Sequence, residues 1–209
     1  MPQLHVTSQR VLLPTGMAAA TVSLDGPRIV RVTLGAPPPI APGDVHLDVG
    51  DKVVAPAWVN AHTHLPMSSL RALGGTAARQ GNVVEELWFA IEARISAADI
   101  RAFTRMGALE CLMSGTGAVF EHYYAGDAVA AAFADTGLSG IVAPTLQDLG
   151  GPGVEQREAQ LEATARIHAD SALAEKGIVA ALGPHATDTV SDAFWGRLLA
   201  LPDDLPVHV

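Results

Sequence analysis

Four apolar runs in this chain each lead into side chains capable of chemistry, and helical patterns separate them. Val53 to Val59 runs into Asn60-Ala61-His62-Thr63-His64. Ala118-Val119-Phe120 runs into Glu121 and His122, Leu138 to Leu146 into Gln147 and Asp148, and Ile178 to Leu182 into Gly183-Pro184-His185. The segments 83–94, 97–113, 126–135, 154–175 and 190–201 read as helices; Ser96 and Asp99 cap the second, and Glu162 and Arg166 form an i,i+4 pair on the fourth. Strands alternating with helices imply right-handed βαβ units and a parallel sheet. A dinucleotide-binding sheet would carry Gly-x-Gly-x-x-Gly after its first strand, and a nucleotide triphosphate site would carry Gly-x-x-x-x-Gly-Lys-Ser/Thr; this sequence has neither. Polar residues at the C-terminal end of strand after strand fit a (β/α)8 barrel, whose active sites are built there. The predicted fold class is α/β, the first half of a (β/α)8 TIM barrel, with a fifth strand starting at Leu205 to Val209.

Residues 1–52 have a different texture. Thr21 to Leu24 and Val30 to Leu34 alternate apolar and polar around an Asp25-Gly26-Pro27 turn, and Val45 to Val49 alternates again after a proline-rich loop. This predicts part of a small β-sandwich domain over 1–52 and an incomplete barrel over 53–209. His5 and His46 read as surface or hairpin residues. Leu65 to Gly81, with Gly74-Gly75, reads as a loop over the end of the first barrel strand.

Hydrophobic residues make up 49% of the chain and charged residues 17%, which suits an interior-rich α/β enzyme better than a disordered or surface-binding chain. A net charge of −9 argues against nucleic acid as a partner. The lone Cys111 excludes an internal disulfide and points to a reducing compartment. With no charged-then-apolar leader and no run of 18 apolar residues, a cytoplasmic protein without membrane attachment is expected.

His62 and His64 are two apart on a strand, so their imidazoles project to the same side. Such a pair can hold a divalent metal through neutral ring nitrogens. It can equally be two hydrogen-bonded polar residues at a strand end. The flanking sequence favours the metal. Pro56-Ala57-Trp58-Val59-Asn60-Ala61-His62-Thr63-His64-Leu65-Pro66-Met67 resembles the first-strand motif of the amidohydrolase superfamily, in the branch of cytosine, guanine and S-adenosylhomocysteine deaminases and triazine hydrolases. The usual motif has Pro-Gly where this chain has Pro56-Ala57.

Other segments match in order. Gly183-Pro184-His185-Ala186 is similar to the fourth-strand motif, whose His faces the substrate. Gly115 to Tyr123 is similar to the second-strand segment, with Glu121 at the usual Asp position and Gly117 and Ala118 replacing threonines. Only one of Glu121 and His122 can point into the barrel, and either could support a metal-bound His or make a buried structural bond. Arg71 matches a recurrent position and could anchor its loop or meet a polar substrate group. Trp88 could stack on a planar ring or simply pack. Pro206 to Val209 resembles the start of the fifth-strand motif, with His208 as its first, non-ligand His. The further ligands and the catalytic Glu and Asp are expected beyond Val209.

The resemblance implies one divalent ion, zinc or else iron, on His62 and His64, and a small heterocyclic substrate held by His185, Trp88 and Arg71. It implies hydrolytic deamination with ammonia release, a metal-activated hydroxide attacking the ring carbon that carries the amino group. Chloride displacement and cyclic-amide opening use the same attack and are the alternatives, as is a non-catalytic barrel acting as a binding subunit. A homo-oligomer is open to such a fold. A half barrel leaves strand edges unpaired, so residues 1–209 alone are expected to be an inactive fragment.

Overall fold

The computed structural model describes residues 2–71, 73, 82–201 and 205–209. They divide into two compact units, Met1–Ala57 and Trp58–Val209.

The first unit is a five-stranded sheet of β1 (Leu4–Leu13), β2 (Gly16–Asp25), β3 (Arg28–Leu34), β4 (Val45–Asp48) and the short β5 (Val53–Val54). Its order is β3-β2-β1-β4, with β5 also on β1. Val6 faces Val22 and Leu47 across the sheet, and Val22 faces Val32, so these apolar side chains share one face. The other face carries a polar network. His5 Nδ1 is 2.8 Å from Ser23 Oγ, its Nε2 is 3.2 Å from Asp44, and Thr7 Oγ1 is 2.8 Å from both Thr21 Oγ1 and His46 Nε2. His5 is therefore a residue of the β1–β2 hairpin, and a buried one, not a surface one; bonds at both ring nitrogens make that burial affordable.

The second unit is a parallel half-barrel. Strands β6 (Trp58–Thr63), β7 (Thr116–Tyr123) and β8 (Ser139–Leu146) pair in sequence, with β9 (Ile178–Ala180) and β10 (Gly183–Pro184) both on β8. A single parallel bridge, Leu182 to Val207, marks the next strand. The connecting helices are a π-helical turn (Val84–Trp88) running into α1 (Phe89–Glu92), then α2 (Ala97–Met113), α3 (Gly126–Thr136), α4 (Arg157–Ala169), α5 (Ser171–Glu175) and α6 (Asp192–Leu199). The helix α2 starts as its sequence dictates: Ser96 Oγ accepts from Asp99 N, and Asp99 returns a bond to Ser96 N. Val119, Phe133, Leu138, Val142 and Ile178 form the main core between strands and helices, each essentially without exposure. Gly140 lets β8 close on β7, because a Cβ there would fall 2.2 Å from the Val119 carbonyl oxygen.

Three expectations are corrected. The apolar run 53–64 is two strands in different units, not one buried strand; Pro56, with no N–H to give, sits between them, and among the described residues β6 pairs on one side only, leaving Trp58 74% exposed. The helix expected over 154–175 is α4 and α5, because Asp170 turns its side chain onto the N–H groups of Ala172 and Leu173 and starts a new helix. The described part of the loop after His64 is a 3-10 helix, Leu65–Leu70; its glycine pair lies outside the described residues. No helix among the described residues is long and apolar enough to cross a membrane.

Candidate metal centre and pocket

The end of β6 carries His62 and His64, with their Nε2 atoms 3.3 Å apart. His64 Nδ1 lies 2.5 Å from the main-chain oxygen of His122 on β7. A carbonyl can only accept, so that nitrogen carries the proton and Nε2 keeps its lone pair, the tautomer a metal ligand needs. Two nitrogens at zinc-bond length and tetrahedral angle lie about 3.3–3.4 Å apart, so the pair fits two corners of such a site. Burial, opposed by the bond to His122, holds the His64 pKa below the usual histidine value. Among the described residues no three His, Cys, Asp or Glu side chains converge as a complete metal cage. His208 stands nearest to supplying more: its ring centroid is 5.0 Å from that of His62, and its Nε2 is buried without a partner.

Alternation on β7 sends His122 and Glu121 to opposite sides. His122 faces the barrel interior, where Nε2 donates to the Gly183 carbonyl at 3.1 Å and Nδ1 is 3.1 Å from Thr145 Oγ1. Both ring nitrogens are used, and burial lowers its pKa to about 3, so the ring is neutral and structural. It is the backbone oxygen of His122 that supports His64. Glu121 is fully buried on the other side, where Oε2 accepts from Leu65 N at 2.9 Å and Oε1 has no partner. Burial raises its pKa far above the carboxylate range.

A cavity of about 290 Å³ adjoins this strand end, its wall including His64, Trp88, Glu92, His122, Tyr124 and His185. His185 Nδ1 is bonded to Thr189 Oγ1 at 2.9 Å, which orients the ring at the pocket. Trp88 reaches the cavity from the π-helical turn. Arg71 does not reach it: both terminal nitrogens bond Glu110 on α2, at 3.2 and 2.6 Å, so this residue fastens the loop. Gln147 and Asp148 also stay out of the pocket. Gln147 binds Tyr124 and Gly153, and Asp148 holds Ser191 at the start of α6.

Sequence reading missed Glu92. It is buried in the pocket wall and faces the Tyr123 hydroxyl without reaching hydrogen-bond geometry, and burial raises its pKa. The available signal was its place four residues after Trp88, on the same helical face.

Fold and site together define a class: a parallel-barrel protein that gathers histidines at the C-terminal ends of its strands. A profile of the amidohydrolase family matches residues 53–209, and the chain belongs to that family. It is 31% identical to a 5-methylthioadenosine/S-adenosylhomocysteine deaminase of Haloarcula marismortui, across 100% of this chain and 49% of that protein. It superposes with a TM-score of 0.74 on an adenosine deaminase from Xanthomonas campestris with bound zinc, 27% identical, over 99% of this chain and 48% of that one. Guanine deaminase from E. coli, 18% identical, shares the fold at the same TM-score of 0.74 over 99% of this chain and 51% of that one. The chain thus spans about half the length of relatives it matches.

Proposed function

We propose that these residues form the metal-binding half of a hydrolase that deaminates an aminated nitrogen heterocycle. The observation that carries this is the His62–His64 nitrogen pair, 3.3 Å apart beside a cavity walled by aromatic side chains. His62 and His64 would hold one zinc or iron ion, its remaining ligands being those expected beyond Val209. Such an ion supplies a Lewis acid that brings the pKa of water toward about 7. The chain's other groups would position the ligand histidines and the substrate. The His122 carbonyl keeps His64 in the ligand tautomer. Trp88 and Tyr124 offer flat apolar surfaces to a planar ring, and bury it from bulk water. His185 is positioned to hydrogen-bond a ring nitrogen, and Glu92 places a buried carboxyl in the pocket wall. Water adds at the carbon bearing the amino group, the C–N bond breaks and ammonia leaves.

The relatives' substrates favour adenosine derivatives within this class. Residues 1–52 would be one part of a small β-sandwich, completed over the apolar face of β1–β4, and 53–209 the first strands of the barrel. The lone cysteine suits a cytoplasmic enzyme. Turnover would belong to the full-length polypeptide, not to the 209 residues alone. Ammonia release by the full-length protein should be measured with adenosine, 5'-deoxyadenosine, S-adenosylhomocysteine, guanine, cytosine and aminotriazines. Turnover of an adenosine derivative is expected. Chloride from a chlorotriazine, with no ammonia from any ring, would replace deamination by halide displacement.

A further inference from the structure

We propose that Glu121 is the positioning residue of the metal-binding strand, setting where β6 ends by holding the backbone N–H of Leu65. The inference rests on the reading of His62 and His64 as metal ligands. It starts from an irregularity in the sheet. Asn60 pairs with Val119 and Thr63 with Glu121, so three steps along β6 match two along β7. The extra residue falls within Ala61-His62. A bulge re-aims side chains, and a slip of one residue would turn His64 to the other face.

Something downstream must therefore fix the register. Glu121 Oε2 accepts the first backbone N–H after His64, at 2.9 Å, while the carbonyl of the next residue, His122, accepts from the His64 ring. Consecutive residues of β7 thus hold the ligand by its ring and by the chain that follows it. Leu65 is gripped from the far side too: its side chain is in the core, and a Cβ on Gly107 of α2 would lie 3.0 Å from its carbonyl oxygen. Packing alone does not account for an acid here. A wholly buried carboxyl with one oxygen unpaired is unfavourable, and an apolar side chain would fill the space at less cost. The bond to Leu65 is what the acid contributes.

The test measures zinc dissociation constants of the full-length protein by chelator competition, with circular dichroism to verify folding. Glu121→Gln keeps an acceptor oxygen and should bind zinc within about threefold of wild type, whereas Glu121→Leu should bind about tenfold more weakly or worse. Thr164→Val, which removes a buried bond from Thr164 to Gln160 on α4, should lose stability but keep its zinc affinity. If Glu121→Leu does not fold, Gly107→Ala, which presses Leu65 from the opposite side, should show the weakened binding. Wild-type affinity in Glu121→Leu, or in Gly107→Ala in its place, overturns the inference, as does an equal loss in Thr164→Val. A wild-type protein that binds no zinc, or binds it undiminished in His62→Ala/His64→Ala, removes the metal reading and this inference with it.

Discussion

His64 is held to the strand beside it through a main-chain atom of His122, Nδ1 to carbonyl oxygen at 2.5 Å, and not through the His122 ring. The distinction can be tested. A side-chain substitution at position 122 leaves the carbonyl in place, so His122→Ala should keep most of the zinc affinity of the full-length protein. It should still lower stability, by about 1–3 kcal/mol, because the Gly183 carbonyl and Thr145 hydroxyl lose a buried partner. His64→Ala should do the reverse, reducing zinc to well under one ion per chain while costing less in stability. Metal analysis after dialysis, beside thermal melts of the zinc-free proteins, separates the two. Equal zinc loss in both variants would mean that the His122 ring takes part in the site.

The second prediction concerns Glu92 and pH. Its carboxyl is buried in the pocket wall, and burial raises its pKa above the ordinary 4.5 of the unfolded chain. Above that value the folded state holds its proton more tightly than the unfolded state does, so this group's contribution to stability declines as pH rises. Below it both states are protonated and the contribution is complete. Glu92→Gln removes the titration. The variant should melt higher than wild type at pH 8, and the difference should shrink toward nothing near pH 4. A constant difference across that range would show that the carboxyl is solvated in the folded protein.

Much of this architecture was legible because local chemistry decided it. Ser96 and Asp99 started α2 where a capping box requires, and strand–helix alternation gave the parallel sheet. What escaped depended on partners far away in sequence. The central strand β1 was unassigned because it buries His5, Thr7 and Ser8 on its two faces, and their burial depends on bonds to residues at 21, 23, 44, 46 and 52. Arg71 was open between anchoring its loop and meeting substrate, and the partner that makes it an anchor, Glu110, lies 39 positions on. Glu92 left only one trace, its place four residues after Trp88, because the face its short helix presents is set by packing. In the site, His62 and His64 were legible from spacing, but the backbone carbonyl that fixes the His64 tautomer leaves no trace in residue identity.

The last prediction follows from two uncovered surfaces. In the first unit Val32, Leu34, Val45 and Leu47 are all exposed on the apolar side of the sheet. In the second, β6 is an edge strand with Trp58 and Val59 in the open. Contiguous apolar area on a sheet face and an unpaired edge are both routes to association. A chain of residues 1–209 made alone should bind a hydrophobic dye such as anilinonaphthalene sulfonate and sediment as mixed oligomers, while the full-length protein should do neither. Val32→Lys with Leu34→Lys should reduce dye binding by the short chain. In the full-length protein the same pair should lower the melting temperature, since it would bury two charges in the proposed sandwich. If the double variant melts like wild type there, that sheet face is solvent-exposed in the complete protein and the sandwich proposal is lost.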